Sequence, residues 1–153
     1  MQKKSLAKAA VAIVAIIAAG AALGHSGASG IVKERMDAMS AIAKGMKSVG
    51  AMMKGEAAYD AATVKMAADE IAGHAKKIPH MFPEGSNKKP SEALPAVWTD
   101  WAKFTKLATS METSAQDLAK AAEGASSTDG IRSQFGVLAK TCKACHQDFR
   151  LKK

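Results

Sequence analysis

The sequence predicts an all-α fold, an antiparallel four-helix bundle, and three observations predict it. Beyond residue 28 no stretch alternates apolar and polar side chains with period two, and β-branched residues are sparse. Alanine, lysine and methionine are abundant, and all three favour helix. Four stretches of about 20 residues, each ~30 Å long as helix, repeat apolar side chains every three or four positions. Amphipathic helices of matched length, joined by short turns and one longer loop, bury their stripes most economically against one another.

The elements follow in chain order. The start, "MQKKSLAKAAVAIVAIIAAGAALGHSGASG", has the three parts of an export signal. Lys3, Lys4 and Lys8 precede an apolar run from Ala9 to Leu23, and small residues offer cleavage after Gly24 or Ala28. The run is short of the ~20 residues that cross a bilayer core, so residues 1–28 read as a removed signal peptide rather than an anchor. Residues 29–153 then form one exported, periplasmic domain, with no membrane attachment once the signal is cut.

The first helix carries Val32, Met36, Met39, Ala43, Met46, Val49 or Gly50, and Met53 on one stripe, and Gly55 stops it. Asp60 caps a second helix bearing Val64, Ala67, Ile71, Ala75 and Ile78, ended by Pro79. "PHMFPEGSNKKPSEALP" reads as a loop without regular structure. Pro95 fits the first turn of a third helix, whose core stripe runs Trp98, Trp101, Phe104, Leu107 or Ala108, Met111, Leu118 and Ala122 to a stop at Gly124. "SSTD", Ser126 to Asp129, has the form of a capping box for the fourth helix, with Ile131, Phe135, Leu138, Cys142, Cys145 and Phe149 inward.

Cutting after Ala28 removes three lysines and no acid, so the mature charge is 19 − 14 = +5. The lysines are scattered and no arginine-rich stripe interleaves with aromatics, which argues against nucleic acid. A mild positive charge suits an acidic protein partner. No acid/base pair or substrate pocket is legible, so the chain does not read as an enzyme.

The soft-ligand chemistry lies in "CKACH", residues 142–146. On a helix Cys142, Cys145 and His146 stand at i, i+3 and i+4, on one face within about a turn. Structural zinc needs four ligands and the chain has no further cysteine. A redox CxxC belongs beside a βαβ pattern that is absent, and a disulfide across three residues constrains little. C-x-x-C-H is the attachment pattern of haem c: two thiols add to the vinyl groups and the histidine ligates iron. One such motif implies one covalent haem on the C-terminal helix, held by Cys142 and Cys145 with His146 as metal ligand. His74 and His80 read as surface or loop residues.

With this motif near its C-terminus the chain resembles the class II c-type cytochromes, meaning cytochrome c′ and its low-spin relatives. The resemblance runs through "KERMDAM", "KGEAAYDAA", "KKIPHMFPEGS", "LPAVWTDWAKF" and "CKACHQDFR" in order. It implies a four-helix bundle with the distal residue four positions after the first-helix arginine, hence Met39 after Arg35. It implies that Arg35 lies near the haem propionates, with Met36 where a second polar contact is common. It implies that Arg150 can lie beside the proximal imidazole, and that Phe149 stands where tyrosine is frequent. Two functions follow from the two halves of the family. In one, Met39 and His146 both ligate the iron and the protein carries electrons between redox protein partners. In the other, the iron is five-coordinate and binds nitric oxide or carbon monoxide beneath Met39. Many members form homodimers through their first two helices.

Overall fold

Five α-helices succeed one another in the computed structural model, which describes residues 27–152: α1 (Gly30–Met53), α2 (Ala61–Lys77), α3 (Ala96–Thr99), α4 (Trp101–Gly124) and α5 (Arg132–Phe149). The export-signal reading falls on residues 1–26, outside the described ones, apart from the Ala28 cleavage position. The long helices α1, α2, α4 and α5 form the four-helix bundle, up and down in sequence order. Among the described residues no helix is long and apolar enough to cross a membrane.

The helix ends follow local chemistry. α1 closes in a Schellman arrangement: Gly55 takes φ +76°, its N–H donates to the Met52 carbonyl, and the Glu56 N–H donates to Ala51. A side chain at Gly55 would be strained, so glycine ends the helix there. The Asp60 carboxylate accepts from the Thr63 N–H and starts α2. This hydrogen bonding holds the Asp60 pKa below its ordinary value.

Beyond α1, four expectations are corrected. The stretch after α2 is not irregular throughout: Ile78–Met81 continues as a 3₁₀ turn with Pro79 at its start, where a missing N–H costs nothing. In the same loop Ala93 pairs antiparallel with Arg150, the Leu94 N–H donating to Phe149 and the Leu151 N–H to Glu92. The third helix breaks at Asp100, whose carboxylate recaps α4 by accepting from the Lys103 N–H. That break turns Trp101 outward, 40% exposed rather than core. The "SSTD" box does not form: Thr128–Ile131 is a 3₁₀ turn with no side-chain cap, and α5 begins at Arg132.

The α1 face is offset by one residue from the predicted stripe. Its buried positions are Arg35, Ala38, Ile42, Gly45, Val49 and Met52, while Met36, Met39, Met46 and Met53 are half-buried along one flank. Small residues draw the other seams together. Ala67, Ala68, Ala72 and Ala75 of α2 are buried, as are Ala108, Ala115, Ala119 and Ala122 of α4, which lets those two backbones approach closely. Ile71, Leu118 and Leu138 are fully buried, each contributing about 1.5–3 kcal/mol of apolar burial. α1 packs on α2, α2 on α4 and α4 on α5; α1 and α5 hardly approach one another.

Candidate functional site

The side of the bundle where α1 and α5 stand apart is bordered by the residues singled out above. Its register is set at one level, where the Gly50 backbone of α1 meets the Phe135 ring; a Cβ at Gly50 would sit 3.8 Å from Phe135 Cζ. Met39 lies 11 residues before Gly50 and His146 lies 11 residues after Phe135. Eleven residues make about three helical turns, so each residue returns to the face of its contact, ~16 Å further along the axis. Because α1 and α5 run antiparallel, both displacements point to the same end. Met39 and His146 therefore fall at one level on facing sides of the opening, with Arg35 one turn beyond Met39.

On α5, Cys142 and Cys145 are free thiols, half-buried beside the core, and Cys142 Sγ lies 3.5 Å from the Leu138 carbonyl oxygen. Burial pushes the Cys142 thiol pKa up. Burial, then Cys142 and Asp148 nearby, pushes Cys145 to about 11. Both are neutral thiols at pH 7. His146 is exposed overall, yet solvent lost on its inner side lowers its pKa; Arg150 acts in the same direction and Glu92 opposes it. A neutral imidazole is the form that ligates metal.

Arg35 is buried to 5% exposure. Its Nη2 donates to the Ser86 carbonyl, its Cζ lies 4.4 Å from the centre of the Phe82 ring, and burial lowers its pKa. Nη1 is buried with no hydrogen-bond partner among the described residues. A buried, unpaired guanidinium nitrogen is costly and suits an anion. Arg150, expected beside the proximal imidazole, is near enough to His146 to act on it by charge. Arg150 follows the last turn of α5, is exposed, and binds Glu92 through Nε and Nη2, both at 2.9 Å from Oε2.

An open side between two helices, two neutral thiols, a neutral imidazole, a thioether and a buried guanidinium with one unpartnered nitrogen are parts that suit a covalent, doubly anionic porphyrin. Two shallow grooves lie elsewhere, about 620 Å³ beside Ser114 and Val137 and about 540 Å³ beside His74 and Asp37; neither is lined by a cysteine or an arginine. Sequence reasoning missed Ser86, Phe82 and Glu92. The loop motif "KKIPHMFPEGS" marked the first two as a region, whereas nothing in the sequence paired Glu92 with Arg150 across 58 residues.

The family model described as Cytochrome C' matches residues 30–150. The chain belongs to the cytochrome c′ family. A cytochrome c′ of Rhodopseudomonas palustris is 34% identical over 125 residues, covering 80% of this chain and 83% of the relative. A cytochrome c-556 of Agrobacterium fabrum is 36% identical over 126 residues, covering 82% and 84%. The solved cytochrome c′ from Rhodopseudomonas palustris superposes with a TM-score of 0.76 at 31% identity, over 82% of this chain and 99% of that one. The nitric oxide complex of a mutant cytochrome c prime from Alcaligenes xylosoxidans superposes at 0.72 with 29% identity, over 80% and 94%. As in its family, the cofactor of this cytochrome is covalent haem c, and CKACH is its attachment pattern.

Proposed function

We propose that this cytochrome is a low-spin electron carrier of the periplasm, not an enzyme, with haem c held by Cys142 and Cys145 and its iron bound by His146 and Met39. When bound, the haem supplies a one-electron ferric/ferrous couple. The chain's own residues set its properties. Cys142 and Cys145 tether, the His146 imidazole ligates in its neutral form, and Arg35 Nη1 pairs with a propionate. A Met/His pair favours the reduced iron and raises the potential. The observation that carries this reading is the contact of Gly50 with Phe135, from which the equal 11-residue offsets bring Met39 and His146 to one level across the opening between α1 and α5. The basic, apolar and small-residue segments of residues 1–28 support export. An acidic redox protein and a second copy of the chain are its proposed partners.

The competing function, an open iron that takes nitric oxide beneath a Met39 lid, draws on the Alcaligenes xylosoxidans complex. The position of Met39, half-buried against core side chains, also suits a lid. One experiment separates the two. Ferric protein at neutral pH should show the weak far-red band of sulfur-to-iron charge transfer, and ferrous protein should resist carbon monoxide. Met39→Ala should abolish the band, open the site to carbon monoxide and lower the reduction potential. High-spin wild-type iron that binds carbon monoxide readily overturns the carrier reading in favour of the gas-binding one.

A further inference from the structure

Two residues from different helices hold one short loop. In α3, Trp98 Nε1 donates to the Phe82 carbonyl at 3.0 Å and to the Pro83 carbonyl at 3.2 Å. Pro83 also accepts from the Ser86 hydroxyl at 2.6 Å and the Ser86 N–H at 3.2 Å, closing residues 83–86 into a turn. The Ser86 carbonyl in turn accepts from Arg35 Nη2. Phe82 lies beneath the same guanidinium and packs edge-on against Phe104, ring centres 4.8 Å apart. Arg35 is thus fixed on one face by a ring and at one nitrogen by a carbonyl, and Trp98 anchors the residues that supply both. An arginine side chain has several rotamers, and its planar fork recognises a carboxylate only when held in plane.

We propose that Trp98 is a positioning residue for the haem: through the Phe82–Ser86 loop it aims the unpartnered Nη1 of Arg35 at a haem carboxylate, so that docking of the loop and pairing of that carboxylate are coupled. This rests on the reading that Arg35 faces a propionate, and it adds a residue and a loop that the carboxylate contact alone does not involve. The charge held there favours ferrous over ferric iron, so a misaimed Arg35 lowers the potential. The same coupling makes the loop a reporter of the site.

The test uses haem-loaded protein and two readouts, the midpoint potential and amide hydrogen exchange at residues 84–88. Trp98→Phe keeps a ring and removes the donor. It should lower the potential in the direction of Arg35→Gln but less far, and speed loop exchange roughly five- to tenfold, the loss of one or two hydrogen bonds. The double variant should show no further fall beyond Arg35→Gln, because both changes act through one guanidinium. Trp101→Phe, at an exposed ring on the neighbouring helix, should move neither readout. If Arg35→Gln shifts the potential while Trp98→Phe leaves it at the wild-type value, Trp98 does not position Arg35 and the proposal is overturned with the propionate reading intact. If Arg35→Gln itself leaves the potential unchanged, the propionate reading fails and takes the proposal with it. Should Trp98→Phe fold poorly, Trp98→Tyr also removes the indole N–H while keeping an aromatic ring, and an unchanged potential there overturns the proposal equally.

Discussion

The seam between α2 and α4 and the opening between α1 and α5 belong to one bundle, yet different residues build them. Along the seam, rows of alanine let two backbones approach, and Ile71 and Leu118 fill what remains. Along the opening, half-buried methionines and cysteines replace alanine, the helices stand apart, and Phe135 and Arg35 border it towards either end. The difference teaches that stability and chemistry have been separated by side. Closed seams hold the frame whose fourth side is kept wide enough for a cofactor.

The largest predicted effects separate the two sides by what each loses. Leu118→Ala should cost about 2–5 kcal/mol of stability, a cavity in a site that cannot collapse, yet leave the haem attached. Replacing both Cys142 and Cys145 with alanine should do the reverse. The helices should still assemble around haem, but acid solvent should extract the colour that wild-type protein retains after denaturation. Colour that resists extraction from the double variant would remove CKACH from the attachment reading.

The four long helices and the attachment motif were legible in the sequence, and the misreadings have physical causes. The four long helices, the Asp60 cap and the Gly55 stop follow from local rules, which depend on residues within a few turns of one another. CKACH was legible because covalent chemistry fixes its spacing. The α1 face was misread by one position because the methionines that drew the stripe lie along its flank, while Arg35 and Gly45, neither apolar by type, lie inside. Trp101 was taken for core because the break at Asp100, which re-phases α4, depends on a cap competing with a continuous helix. The pairing of Glu92 with Arg150 and the anchoring of Phe82 by Trp98 are long-range contacts with no periodic signature.

A medium-sized effect concerns pH on the open side, in the haem-free chain. The Cys145 pKa is raised to about 11, against ~8.5 for an unstructured thiol. Folding therefore favours the neutral thiol, which adds stability below pH ~8.5 that is lost as pH rises through about 11. Alkylation requires thiolate, so at pH 8.5 Cys145 in folded protein should react about a hundredfold more slowly than in denaturant. The rate should climb until pH is near 11. Equal rates in folded and denatured chains at pH 8.5 would mean that the α5 thiols are not held against the core.

The smallest predicted effect is the sharpest, because it sets one substitution on two sides of one helix. Gly45 and Gly50 both lie within α1, where alanine is intrinsically better than glycine by roughly 0.5–1 kcal/mol. At Gly45 a Cβ would come 3.3 Å from Ile71 Cδ1 and 3.5 Å from the Ala67 carbonyl. Ile71 is fully buried and has little room to turn, so overpacking of about 1–3 kcal/mol outweighs the helix gain. At Gly50 the nearest atom is Phe135 Cζ at 3.8 Å, an ordinary contact with a half-buried ring. Denaturant unfolding of the haem-loaded protein should therefore show Gly45→Ala destabilised by about 1 kcal/mol and Gly50→Ala stabilised by a similar or smaller amount. Opposite signs would locate the tight packing of α1 on its α2 side. Equal gains at both positions would mean that the α1–α2 seam is as forgiving as the opening beside α5, and the separation of frame from site would then rest on α2, α4 and α5 alone.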